Sequence, residues 1–109
     1  MIVAEIYTQG NGGKIIGFDI NGHANTAPHG YDIYCAGVSS LSQSAFLCIQ
    51  KHLKRDFDAS TAGGHLKMKL KTPPDDLTEA VFQTMLIGIK EIANLGPKIV
   101  KVKISPTDL

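Results

Sequence analysis

A two-layer α+β fold is predicted by three features of the 109-residue sequence. Five short segments alternate apolar and polar residues, and two longer ones carry apolar residues three and four apart. Their order along the chain is ββ-α-ββ-α-β. Half-apolar strands and one-striped helices bury those surfaces by stacking the helices on one side of a sheet. The expectation is one domain over residues 1–109, a two-layer sandwich with two helices packed on one face of a largely antiparallel five-stranded sheet. A chain of this length buries over roughly 60% of its unfolded surface, enough for one core.

Residues 2–9 put Ile2, Ala4 and Ile6 on one face and Glu5, Tyr7 and Gln9 on the other. Residues 14–21 repeat the alternation with Ile16, Phe18 and Ile20, and Asn11-Gly12-Gly13 between them signals a hairpin turn. Residues 21–35 lose any period at Gly22, Pro28 and Gly30 and read as an exposed loop, of a length that is often functional. Residues 37–54 carry Val38, Leu41, Ala45, Cys48, Ile49 and His52 at helical spacing, with Lys51, Lys54 and Arg55 where the helix dipole favours cations. Residues 56–62 and 65–71 flank Gly63-Gly64 as a second hairpin. Its dry face holds Leu66, Met68 and Leu70, and its wet face Lys67, Lys69 and Lys71.

The second helix follows Pro73 and Pro74, with Asp76 and Glu79 read as its capping box. Val81, Met85, Gly88, Ile89 and Ile92 form its stripe, and Gly96-Pro97 stops it. Residues 98–105 form the last strand, with Val100, Val102 and Ile104 inward.

Hydrophobic residues make up 43% of the chain and charged residues 19%, the balance of a globular protein. A net charge of +1 does not mark a nucleic-acid binder. No apolar run approaches the roughly 20 residues of a membrane span. The opening MIVAEIYTQ has neither the basic start nor the apolar stretch of a secretory signal, so a cytoplasmic location without membrane contact is expected. The two cysteines, Cys35 and Cys48, are thirteen residues apart. Along one helix that is about 20 Å, whereas a disulfide needs Cα atoms within about 7 Å. Each thiol therefore needs its own explanation.

Cys35 sits where the loop is expected to run into the first turn of the helix. Unpaired amides and the macrodipole stabilise an anion there, which favours a thiolate. The backbone amides of Cys35 and Ala36, with small Gly37 beside them, suit an oxyanion site. His23 opens the same loop and is the candidate base. Asp32 can orient the imidazole or the loop, and Ser39 lies one turn after Cys35 as a support. Cys48 falls in the helix stripe and reads as a small core residue. His29 and His65 read as solvent-facing, and His52 as the polar edge of the packed helix. His23, His29 and Cys35 share the loop but lack the close ligand pairs of structural zinc, so no metal or cofactor is called for.

The stretch Gly22-His23-Ala24, followed by Gly30-Tyr31-Asp32-Ile33-Tyr34-Cys35-Ala36-Gly37, resembles the bacterial ribosomal-processing cysteine protease Prp family. Gly63-Gly64-His65 and Gln83-Thr84-Met85-Leu86 fit it as well, and the resemblance spans essentially the whole chain. It implies a Cys–His endopeptidase that removes a short N-terminal extension from the precursor of large-subunit ribosomal protein twenty-seven. It also implies a homodimer, possible contact with the ribosome, and a mobile loop over the site. Carried across, Cys35 matches the nucleophile, His23 the base, and Gly22, Asp32 and Ser39 the supporting positions. Asn25 and Tyr34 depart from the acidic residue and the valine common at those places, which bears on loop packing and subsite shape. Two other classes stay open: an RNA-associated module using Lys67, Lys69, Lys71, Lys101 and Lys103, and a thiol-based redox sensor at Cys35.

Overall fold

The computed structural model describes residues 1–22 and 31–107. β1 (Ile2–Gln9) and β2 (Ile15–Asn21) pair antiparallel as the opening hairpin. α1 (Tyr31–Leu47) runs into a π-type turn over Cys48–His52, closed by the Leu53 amide donating to the Cys48 carbonyl at 3.0 Å. β3 (Phe57–Ser60), a tight turn over Ala62–Gly64, β4 (Leu66–Leu70), α2 (Asp76–Leu95) and β5 (Val100–Thr107) complete the order.

The strands lie in the order β3-β4-β2-β1-β5. Three neighbouring pairs are antiparallel, and β5 runs parallel to β1, from Ile2 opposite Val100 to Gln9 opposite Thr107. The sheet is mixed, and the fold is the expected α+β sandwich. Each helix joins strands that point the same way: α1 links β2 to β3, and α2 links β4 to β5. Such crossovers are right-handed in nearly all proteins. β2 and β4 point in opposite directions and their crossovers move toward opposite edges. The two reversals cancel, so both helices fall on one face.

That face holds the core. Ile2, Ala4 and Ile6 of β1, Phe18 and Ile20 of β2, and Met68 and Leu70 of β4 meet Val38, Ala45 and Ile49 from the α1 segment and Phe82, Met85 and Ile89 of α2. Phe18 and Phe82 pack edge to face, 6.2 Å between centroids. The register slips between Tyr7 and Thr8, and both Ile15 and Ile16 are buried beside the slip.

Four expectations change. α1 begins at Tyr31, six residues before the expected Gly37. Gly37 looked like a boundary because glycine weakens a helix, yet here it faces α2, where a side chain would come within 2.9 Å of Ile92 Cδ1. Tyr34 and Cys35 pack against the core margin, so tertiary contact sustains the added turns. The cap of α2 is Asp75, not Asp76: its carboxylate accepts from the Leu77 and Thr78 amides at 3.0 and 3.1 Å, and Thr78 Oγ1 accepts from the Asp75 amide at 2.9 Å. Glu79 instead accepts the Ile15 amide at 2.8 Å, tying α2 to β2. Finally, Ile104 is 46% exposed, because β5 is an edge strand.

Candidate active site

Cys35 is the fifth residue of α1 and half-buried. At 100° per residue, Cys35, Ser39, Ser42 and Phe46 share one flank of the helix. Val38, Ala45 and Ile49 point into the core. Leu41 and Cys48 take the opposite flank, where they line a separate recess with Val81 and Met85 of α2. The two cysteines are free thiols on opposite sides of one helical segment.

The flank that bears Cys35 borders a cavity of about 400 Å³. Ser39, Ser42 and Phe46 form its α1 wall, and Gly64, His65 and Leu66 its wall from the β3–β4 turn. Ser42 is buried, and its hydroxyl is within hydrogen-bond reach of the helix carbonyls of Val38 (2.9 Å) and Ser39 (3.2 Å). Phe46 is held by an edge contact with Phe57 at 5.1 Å. His65 was expected in solvent. Its side chain is only 25% exposed, and its Nδ1 lies 3.0 Å from the Asp19 carboxylate on β2. This pair pins the start of β4 to β2. The pairing is invisible in sequence, because it depends on a register that sets Asp19 opposite Lys67.

β2 delivers the chain toward the expected base. Gly22, just after β2, has φ +96°, and a Cβ there would meet the Met1 carbonyl oxygen at 2.1 Å, so only glycine fits. His23, His29 and Asn25 lie outside the described residues, as does the side chain of Asp32. The Tyr34 ring packs onto Gly96 at the end of α2, so close that a Cβ at Gly96 would come within 2.7 Å of its Cε1. This departure from valine anchors the turn of α1 that carries Cys35. His52 is exposed.

The earlier start of α1 changes the electrostatic argument. In a helix beginning at Tyr31, the unpaired amides and the dipole effect belong to the first turn. The amides of Cys35 and Ala36 lie beyond it, inside the intrahelical ladder. Cys35 therefore lies outside the turn to which the helix-terminus argument applies.

Two of the five lysines expected on the wet sheet face have acidic partners. Lys103 pairs with Glu5 at 3.6 Å, Lys71 with Asp58 at 3.4 Å, and Lys67 Nζ sits 5.7 Å from the Tyr7 ring centroid. The Ser105 hydroxyl donates to Glu5 at 2.6 Å and is the main reason its carboxyl lies below the usual range, with help from Tyr7 and Lys103. Burial, then the nearby charges of Glu5 and Asp19, push the Tyr7 phenol up to about 12. Among the described residues, no group of three or more His, Cys, Asp or Glu side chains is placed to hold a metal ion, and no helix is long and apolar enough to cross a membrane.

Comparison with known proteins bears on this site. Residues 1–101 match the family model described as cysteine protease Prp. The ribosomal processing cysteine protease Prp of Staphylococcus aureus strain Mu50 is 30% identical over 95 residues, covering 84% of this chain and 88% of that protein. A crystal structure of an essential ribosomal processing protease Prp from S. aureus, in complex with a substrate peptide, superposes with a TM-score of 0.84 at 23% identity, over 96% of this chain and 100% of that one. SMU.848 from Streptococcus mutans superposes with a TM-score of 0.80 at 25% identity, over 98% and 99% of the two chains.

Proposed function

The chain belongs to the cysteine protease Prp family, and we propose that Cys35 is the nucleophile and His23 the base with which it cleaves a peptide bond. The observation that carries the reading is the position of Cys35: half-buried on the flank of α1 that it shares with the cavity-lining Ser39, Ser42 and Phe46, in a chain that matches the family over residues 1–101. The substrate in this reading is the precursor of large-subunit ribosomal protein twenty-seven, whose short N-terminal extension is removed during ribosome assembly. The name of the S. aureus relative, a ribosomal processing protease, supports that choice. The reading extends to a homodimer acting in the cytoplasm.

The chemistry follows from the groups assigned. His23 takes the Cys35 proton, and the thiolate attacks the scissile carbonyl carbon to form a tetrahedral oxyanion. His23 then protonates the leaving amine, and the C–N bond breaks to leave a thioester. Water, deprotonated by His23, adds to the thioester carbonyl and releases the carboxylate product and the thiol. Asp32, Ser39 and Gly22 support the pair. Both the Cys35 and the Ala36 amides are engaged in the helix ladder, so the oxyanion role assigned to them requires the first turn of α1 to open as substrate enters. No step calls for a metal or an organic cofactor. The competing RNA-binding reading is weakened by the acidic partners of Lys71 and Lys103.

Intact-mass analysis of the extension-bearing precursor, incubated with the wild-type protein and with Cys35→Ala, tests the reading. A single N-terminal clip by the wild type alone is expected. Cleavage by Cys35→Ala removes Cys35 as nucleophile, and an uncut precursor with folded, reduced wild type removes this substrate.

A further inference from the structure

We propose that Tyr34, seated on the bare backbone of Gly96, is a positioning residue for Cys35: the contact fixes the thiol along the axis of α1 and so sets the rate of its attack, without touching the peptide. The inference rests on Cys35 being the nucleophile and adds to that reading which residue holds it in place.

The contact belongs to an interlocked seam between α1 and α2. Three pairs run along it, and in each a large side chain meets a glycine. A Cβ at Gly96 would come within 2.7 Å of Tyr34 Cε1, one at Gly37 within 2.9 Å of Ile92 Cδ1, and one at Gly88 within 2.7 Å of Leu41 Cδ1. Residues 34, 37 and 41 ascend α1 while 96, 92 and 88 run back along α2, and the large partner alternates between the two helices. Sliding α1 by one residue moves it about 1.5 Å, which drives a side chain of the seam into the facing backbone. Close-packed interiors transmit such a shift rather than absorb it. The seam therefore locks α1 lengthwise.

Tyr34 is the seam residue next to the thiol. Cys35 follows it directly, and Ile33 on its other side is 71% exposed and anchors little. The seat is firm. Gly96 is buried, its amide donates to the Ile92 carbonyl at 3.0 Å, and its carbonyl accepts the Ile99 and Val100 amides at 2.9 and 3.0 Å. Gly96 thus joins α2 to β5, and backbone held in this way has no rotamer with which to yield. The atoms of Tyr34 that face it are the ring carbons Cε1, Cζ and Cδ1. A valine ends at its Cγ atoms, short of all three. A misplacement of about 1 Å at a reacting group costs about 100-fold in rate. A contact that fixes Cys35 therefore acts on the chemical step and leaves peptide binding alone.

The test measures steady-state cleavage of the extension-bearing precursor by the wild type, Tyr34→Phe, Tyr34→Val, Gly96→Ala and the double variant Tyr34→Val/Gly96→Ala, each verified as folded by circular dichroism. Tyr34→Val and Gly96→Ala are each expected to lower kcat about tenfold or more with KM nearly unchanged. Tyr34→Phe keeps the ring carbons and is expected to keep the wild-type kcat. In the double variant the two losses are expected not to multiply, because each breaks the same contact. Iodoacetamide alkylation of Cys35, located by mass spectrometry, reads the thiol directly. Its pH profile is expected to move to higher pH in Tyr34→Val and Gly96→Ala, since a displaced thiol loses its base; lower stability alone does not produce that shift. If Gly96→Ala fails to fold, Tyr34→Val and Tyr34→Phe carry the comparison, and if the precursor is not cut, the alkylation profiles decide. Wild-type kcat in folded Tyr34→Val, a loss confined to KM, an alkylation profile that does not move, or a Tyr34→Phe as impaired as Tyr34→Val overturns the positioning role and leaves Cys35 as nucleophile. Cleavage by Cys35→Ala at the wild-type rate overturns the nucleophile reading, and the positioning role with it.

Discussion

Replacing Gly17 by alanine puts the β2–β4 pairing to a test whose sign is decisive. Gly17 lies opposite Lys69 near the middle of the sheet. An ideal Cβ on Gly17 would fall 2.2 Å from the Met68 carbonyl oxygen and 2.8 Å from Lys69 Cα. Both are backbone atoms, which have no rotamer to escape into. Non-bonded carbon contacts settle near 3.5 Å, so the strands must part locally by roughly 1 Å. Overpacking of this kind costs about 1–3 kcal/mol, and a stretched ladder hydrogen bond adds up to about 1 kcal/mol. Against this, the loss of glycine's freedom in the unfolded chain returns about 0.4–1 kcal/mol. The net is about 2 kcal/mol of destabilisation, or a fall in Tm of about 8 °C for a domain of this size. Thermal and urea melts followed by circular dichroism measure it. At a strand position with open space the same change would be neutral or stabilising. A Gly17→Ala protein as stable as wild type would therefore refute the close approach of β2 and β4. That approach also holds the cavity wall at His65 and Leu66 in place.

Further outcomes follow from other contacts. Glu79→Ala leaves the Ile15 amide, in a residue 1% exposed, without its acceptor. About 2 kcal/mol of stability is expected to be lost in urea titration, with Glu79→Gln losing clearly less because it keeps an acceptor oxygen. Tyr7 is expected to ionise at about 12 in ultraviolet absorbance titration. Its folded value lies above the unfolded value near 10, so its contribution to stability is complete below pH 10 and is lost as pH rises through 12. A Tyr7→Phe protein should lose less stability than wild type over that window. Glu5 runs the opposite way: its carboxyl lies below the usual range, so its contribution is present above the unfolded value and is lost as pH falls through the folded one. Ser105→Ala should bring the Glu5 titration, followed by carboxyl carbon NMR, back toward the ordinary value. His23→Ala is expected to lower peptide cleavage by about 100-fold or more in a single-turnover assay, and a near-wild-type rate would remove His23 from the role of base.

The kind and order of the elements are legible in local pattern, because alternation and helical stripes are local properties. Ile2, Ala4 and Ile6 face one way at any strand register, and Val38, Ala45 and Ile49 share one helix face wherever the helix docks. That both helices lie on one side of the sheet follows from the right-handed crossover rule only once the strand order β3-β4-β2-β1-β5 is known. Cys35 was legible as the reactive candidate, and its family resemblance is matched by the family model over residues 1–101. What local pattern could not carry was whatever depends on partners far along the chain. The start of α1 moved from Gly37 to Tyr31 because Tyr34 and Cys35 pack on the core margin and Gly37 lies against Ile92. Glu79 left its expected cap for the Ile15 amide, 64 residues away, and His65 left solvent for Asp19, 46 residues away. The parallel β1–β5 pairing and the cavity beside the Cys35 flank arise the same way. Periodicity says which face of an element is apolar, but not which neighbour covers it. That choice is made by the burial and hydrogen-bond satisfaction of the whole chain at once, and only the tertiary structure records it.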